Sequence, residues 1–201
     1  MCNYYILDEY TSNIEIEKSQ FISLIFPISS TFDIKDKIKE IKLRFPKATH
    51  YIYAIKTSSF TKSNDDGEPA GTCGRPTLEL LDKTGLNDVC VITIRYYGGI
   101  KLGAGRLLRT YVASANEVIK KAVKYTKIYT NKYEFEVLNS KRNIFEYICR
   151  ENGIKINILE YNGECFRADI ILSNEIPETL KNLDGIRIVS KTEILDYKGV
   201  K

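Results

Sequence analysis

Asp65-Asp66-Gly67-Glu68-Pro69 places three carboxylates within four residues, and the chain's single histidine, His50, lies fifteen positions upstream. Carboxylates so close together could hold Mg²⁺, which takes oxygen ligands and keeps several of its waters. His50 could then act as a general base, since imidazole titrates near neutral pH. The same residues have a plainer explanation. Asp, Asn and Gly gather in turns, where their side chains bond the local backbone and tolerate left-handed conformations. Adjacent carboxylates need not face the same way, and the spacing is not that of an EF-hand. His50, Asp65, Asp66 and Glu68 therefore form an alternative catalytic set, that of a metal-dependent enzyme acting on a phosphorylated substrate. The leading reading assigns no catalytic residue, no metal and no cofactor.

The second group is Gly98-Gly99-Ile100-Lys101-Leu102-Gly103-Ala104-Gly105-Arg106. It joins an apolar strand to a long helix, a junction where backbone N–H groups and the helix dipole favour anions. The glycines match neither a P-loop nor the G-x-G-x-x-G spacing, and a tight crossover would explain them equally well. Charge placement adds to the anion reading. Lys and Arg number 30 against 26 Asp and Glu, a net +4 that by itself says little about partners. Over residues 95–127, however, eight basic residues face one acid, Glu117, a local +7. Residues 1–130 carry net +5 and residues 131–201 net −1. Arg75, Arg95, Lys101, Arg106 and Arg109, with the amides of Gly98, Gly99, Gly103 and Gly105, are the candidate ligand-binding residues, and a phosphate backbone is the anion they suit.

These residues need elements to hold them. Residues 19–26 read as a buried strand stopped by Pro27 and Ser29-Ser30. Ile34, Ile38, Ile41 and Phe45 recur at helical spacing. Residues 50–56 alternate as a strand, residues 57–76 show no regular pattern, and residues 77–83 form a short helix. Residues 89–97 are almost continuously apolar, as in a central strand covered on both faces. The following helix, reaching about Lys124, has an apolar stripe of Leu108, Tyr111, Val112, Ala115, Ile119 and Ala122. Beyond residue 130 the order is strand, helix, strand, strand, helix, strand, with a hairpin at Asn162-Gly163 and a helix over 175–183. That is the split βαβ arrangement of a ferredoxin-like domain. Two domains, 1–130 and 131–201, are expected in an α+β chain.

Composition excludes several classes. At 28 % charged and 43 % hydrophobic residues, the chain is neither disordered nor collagenous. Its longest apolar run, 21–28, falls far short of the roughly 20 residues a bilayer needs. Asp8 and Glu9 stand where a secretory signal would be apolar, so a cytoplasmic protein without membrane partners is expected. Five scattered cysteines (Cys2, Cys73, Cys90, Cys149 and Cys165) form no CxxC pair and read as reduced thiols.

Residues 65–76 (Asp-Asp-Gly-Glu-Pro-Ala-Gly-Thr-Cys-Gly-Arg-Pro), 95–105 (Arg-Tyr-Tyr-Gly-Gly-Ile-Lys-Leu-Gly-Ala-Gly) and 107–111 (Leu-Leu-Arg-Thr-Tyr) together resemble the YigZ/IMPACT family. Ala48-Thr49-His50 and Glu17-Lys18-Ser19-Gln20-Phe21 resemble its earlier motifs. Cys73 replaces the usual Ala, Tyr97 a common Phe, and Arg106 a third glycine. The resemblance implies a first domain like one shared by a small-subunit ribosomal protein and elongation factor G. It also implies a ferredoxin-like second domain, similar in kind to that factor's C-terminal domain. The family's eukaryotic members regulate translation through protein contacts. The expected function is a non-enzymatic protein associated with RNA or the ribosome, a translation or stress regulator. A protein-only regulator is a further alternative, and the oligomeric state is left open.

Overall fold

The computed structural model describes residues 3–29 and 33–200; Cys2 and Ser30 lie outside them. The chain divides into two units. The first runs to Thr126 and takes in the chain from Gly199 on, and the second is Lys127–Lys198. In chain order the first unit contains β1 (Tyr10–Ile16), β2 (Ser19–Pro27), α1 (Ile34–Arg44), β3 (His50–Lys56), β4 (Thr61–Asn64), α2 (Gly74–Thr84), β5 (Val89–Tyr96) and α3 (Ala104–Lys121). β6 (Tyr125–Leu138), α4 (Arg142–Glu151), β7 (Ile156–Asn162), β8 (Cys165–Leu172), α5 (Glu178–Lys181) and β9 (Ile186–Gly199) follow. Among the described residues no helix is long and apolar enough to cross a membrane.

The sheet of the first unit has the order β1-β2-β5-β3-β4, with every pair antiparallel. β5 is its middle strand and is buried on both faces, which is why its sequence is apolar without alternation. Cys90, Ile92 and Ile94 face α1, packed with Leu24, Phe26, Ile41 and Ile55. Val89 and Val91 face the opposite layer, where Leu81 of α2 and Ala115, Val118 and Ile119 of α3 close the core. Arg95 shares the parity of Val89 and Val91, so the strand carries it to the α2/α3 side.

Caps set the helix ends. Asp33 accepts a hydrogen bond from Lys35 N at 2.8 Å and starts α1. Gly85, at φ 70°, ends α2 in the left-handed conformation. Residues 57–76, expected to be irregular, contain the edge strand β4, and α2 begins at Gly74, three residues before the expected start. α3 ends at Lys121, and its buried face is turned from the expected stripe. Leu107, Thr110, Tyr111, Ser114, Ala115, Val118 and Ile119 are buried, whereas Leu108 and Val112 are half-buried. Two of the buried residues outside the expected stripe, Thr110 and Ser114, carry hydroxyls, which an apolar pattern does not register. Thr110 donates to Arg106 O at 2.9 Å, and Ser114 Oγ lies 2.7 Å from Ser23 Oγ, itself 2.8 Å from Thr93 Oγ1.

The second unit is a four-stranded sheet of order β7-β8-β6-β9. Its core is Tyr133, Phe135 and Val137 of β6, Phe145 and Cys149 of α4, Phe166, Ala168 and Ile170 of β8, and Leu180 of α5. Together the two units make a mixed α+β protein. The β7–β8 hairpin pairs Asn162 with Cys165, so its two loop residues are Gly163 and Glu164 rather than Asn162 and Gly163. Gly163 takes φ 57° at the first loop position, where a two-residue turn demands a positive φ. A 3₁₀ turn (Asn139–Lys141) precedes α4, and the helix expected over 175–183 shrinks to the single turn of α5. Cys73, Cys90, Cys149 and Cys165 are free thiols.

Candidate functional site

Strand register assembles the first part of the site. Phe21 of β2 pairs with Arg95 of β5, and Arg95 with His50 of β3. The three side chains therefore form a row across the sheet on its α2/α3 face. The Arg95 guanidinium lies between two aromatic rings, 5.3 Å from the centroids of both Phe21 and Tyr97. Tyr111 of α3 packs edge-on against Phe21 at 5.1 Å.

The acidic loop completes this row, and its three carboxylates diverge. Asp65 Oδ1 accepts from Cys73 N at 3.0 Å and Gly74 N at 2.7 Å, while its Oδ2 accepts from Gly71 N at 2.7 Å. It thus caps α2 from eight residues away, where Cys73 supplies no side-chain cap. Asp66 Oδ2 accepts from Tyr51 N at 2.7 Å, and Asp66 O bonds His50 Nδ1 at 2.7 Å. Glu68 turns inward. Its Oε1 receives Arg95 Nη1 and, at 2.9 Å, the Tyr111 hydroxyl. The side chains of Glu68 and Arg95 are only 7 % and 6 % exposed, so this ion pair is desolvated.

The alternative catalytic set is thereby corrected at Asp65 and Asp66, whose oxygens serve backbone amides. Among the described residues no group of three or more His, Cys, Asp or Glu is placed to hold a metal ion. His50 and Glu68 do come together, with Nε2 and Oε1 3.7 Å apart. Burial pushes the Cys73 thiol up to about 12, with Glu68 and Asp65 adding to the shift, so Cys73 is no nucleophile. Burial also raises the Tyr111 phenol well above its ordinary range, reinforced by Glu68, and it stays a donor.

Arg95 also differs from its expected role. It does not face solvent as a phosphate contact, because β5 parity and Glu68 hold it inside. Other members of the basic stretch are engaged too: Lys120 pairs with Glu117, Lys121 donates to Thr11 O, and Lys124 lies over the Tyr4 ring. Arg75 pairs with Glu79 along α2 and stands outside the cavity described below. The exposed basic residues left at the start of α3 are Lys101, Arg106 and Arg109. Arg106 bridges to Glu17 at 2.8 Å; Arg109 Nη1 lies against Gly105; Lys101 and Arg109 carry no ion pair among the described residues.

The glycine segment splits by role. A Cβ on Gly98 would sit 2.1 Å from the carbonyl carbon of Lys18, so only glycine fits, and its N–H donates to Ser19 Oγ at 3.0 Å. Gly103, at φ 74°, precedes α3 without capping it through a side chain, which leaves the first amides of the helix open. Gly105 and Arg106 lie within α3, where a Cβ meets no conformational obstacle.

Between the row and the helix start lies a cavity of about 400 Å³, inside the roughly 300–1,000 Å³ of small-ligand sites. It is lined by Thr49, His50, Glu68, Pro69, Arg95, Tyr97, Lys101, Leu102, Gly103, Ala104 and Leu107. The structure therefore unites His50, Glu68, Arg95, Lys101 and Gly103 around the cavity, whereas Asp65, Asp66 and Arg75 are not among its lining, Asp66 reaching His50 only through its backbone carbonyl. Thr49, Pro69, Leu102, Ala104 and Leu107 were not among the expected residues. One signal for such a cavity was available: an arginine at the end of an apolar strand must find a buried partner.

A two-unit α+β protein with an aromatic-caged ion pair beneath a glycine-rich helix start is the class these features define. The Impact N-terminal domain family matches residues 17–119, just over half of the chain and including every residue of the cavity. The chain belongs to the IMPACT family. It is 45 % identical over 107 residues to the IMPACT family member YvyE of Bacillus subtilis, a match covering 52 % of this chain and 49 % of that protein. An IMPACT family member of Haemophilus influenzae is 30 % identical over 147 residues, 71 % of each chain. Among solved structures, one described as the crystal structure of a hypothetical protein aligns with TM-score 0.59 and 26 % identity over 86 % of both chains.

Proposed function

We propose that this protein regulates translation by binding structured RNA, on the ribosome or free, through the basic end of its first unit, without catalysing a reaction. The observation that carries this reading is the meeting of exposed Lys101, Arg106 and Arg109 with the open amides at the start of α3. Cationic side chains and aligned N–H groups at one place suit phosphate oxygens. The Arg106–Glu17 bridge is surface-exposed and costs little to exchange for a phosphate. Membership of the IMPACT family, which includes translation regulators, supports the same role.

Finer assignments of the fold belong with this proposal. We read the first unit as the ribosomal-protein and elongation-factor-G type and the second as ferredoxin-like. The sheet order β7-β8-β6-β9, with α4 and α5 in the intervening connections, supports the second assignment. A domain boundary near residue 130 and a cytoplasmic setting complete the reading.

A salt titration tests the function. Binding of the full chain to tRNA and ribosomes should weaken linearly on a log–log plot of affinity against salt. Replacing Lys101, Arg106 or Arg109 by Ala should each lower that slope by about 1. Salt-insensitive binding, or three variants indistinguishable from the parent, would refute it.

A further inference from the structure

The cavity beside the basic end holds two polar groups that the protein itself does not satisfy. Arg95 Nε is buried and has no hydrogen-bond partner. The contacts Glu68 makes with Arg95, Tyr111 and His50 all converge on Oε1, and its Oε2 has no partner among the described residues. Arg95 Nε is thus a buried donor without a partner, and Glu68 Oε2 is an acceptor left free by the same ion pair; both residues line the cavity. Buried polar groups left unpaired are costly and rare. The arrangement favours a ligand that returns one acceptor and one donor to the pair.

The remaining walls narrow the chemistry. Pro69, Leu102, Ala104 and Leu107 are apolar, so the occupant is largely uncharged. Glu68 repels a free anion at that depth, which argues against phosphate in the interior. Tyr97 lines the cavity and is 43 % exposed, with Arg95 stacked on its ring. It offers an aromatic surface to a planar group. Lys101, Gly103 and Ala104, at the start of α3, are also among the lining residues.

We propose that this cavity binds one unpaired nucleobase of a single-stranded RNA segment. The base stacks on Tyr97 and exchanges hydrogen bonds with Glu68 Oε2 and Arg95 Nε, while its phosphate stays near Lys101 and the start of α3. Every common base presents a donor and an acceptor on one edge, so the site selects for an unpaired base before it selects for sequence. The inference rests on the RNA reading above and specifies which part of an RNA the protein engages.

Free guanosine, adenosine, cytidine and uridine separate the two claims, because nucleosides carry no phosphate. Each is titrated into the full-length ¹⁵N-labelled protein while the Arg95 Nε–H resonance and the Gly103 and Ala104 amides are followed. A saturable shift indifferent to salt is expected with at least one nucleoside. Tyr97→Ala should weaken it about tenfold, the scale of one lost base–aromatic stack, and Ala104→Leu should block it by filling the cavity. Contacts between base protons and the Tyr97 ring in the unmodified protein provide a readout independent of either variant. The proposal is overturned if no nucleoside moves these signals, if inorganic phosphate alone does so, or if the shift persists undiminished in both variants. RNA binding with steep salt dependence but no nucleoside response would remove the base site and leave the phosphate-binding reading intact. Nucleoside binding without RNA binding would overturn both readings, since the occupant would then be a small molecule and not a segment of RNA.

Discussion

Glu68 shows how much of the site depends on a single side chain. It neutralises Arg95, accepts from Tyr111 and stands beside His50, all in a nearly dry environment. Removing one member of a buried ion pair leaves the other charge uncompensated. Glu68→Ala should therefore destabilise the first unit by about 3–5 kcal/mol, read as a lower urea midpoint. Replacing both partners, as Glu68→Leu with Arg95→Met, should recover most of the loss; a double variant as unstable as the single one would contradict this. At this scale the sequence was only partly legible. It singled out Glu68, Arg95 and His50, but adjacency in a motif says nothing of direction. Asp65, Asp66 and Glu68 look equivalent on paper, and the turn sends them to a helix cap, a strand end and a buried arginine.

Elements were easier to read than their contacts. The central strand, the α1 repeat and the βαββαβ order of the second half follow from spacing alone, because burial imposes its period on residue type. The turned face of α3 did not follow, since Thr110 and Ser114 are buried through hydroxyl bonds that hydropathy does not record. Gly98 belongs to the same scale. Its role lies in the approach of β5's end to the β1–β2 turn, where Glu17 and Lys18 both take positive φ, 48° and 61°. Neither residue is a natural choice for that conformation, so the turn relies on what packs against it. Gly98→Ala forces a methyl group into the Lys18 backbone. A cost of about 2–3 kcal/mol is expected, visible as faster amide exchange along the β1–β2 hairpin; an unchanged exchange pattern would show that the contact can relax.

For the whole molecule, several buried acids hold their protons more tightly when folded. Burial raises the thiols of Cys73, to about 12, and of Cys149, to about 11, and raises Cys90 and Tyr111 well above their ordinary ranges. The unfolded chain releases these protons from roughly pH 8.5–10 upward, while the folded chain keeps them. Stability is thus fully present below about pH 8.5 and falls as pH rises toward 11 and beyond. Urea midpoints measured at pH 8 and pH 10 should differ, with the lower value at pH 10, and Cys73→Ala should flatten the dependence. Equal midpoints would show that the thiols titrate alike in both states. Net charge was the least informative property at this scale, since +4 does not distinguish the exposed cations at the start of α3 from exposed lysines elsewhere such as Lys35, Lys62 and Lys83.

The glycine segment touches the β1–β2 turn twice, at Gly98 against Lys18 and at Arg106 against Glu17. Both ends of the stretch are clipped to the same hairpin tip. Residues 99–105 are therefore tethered at both ends to one hairpin tip, so any shift of that tip is passed directly to the segment that leads into α3.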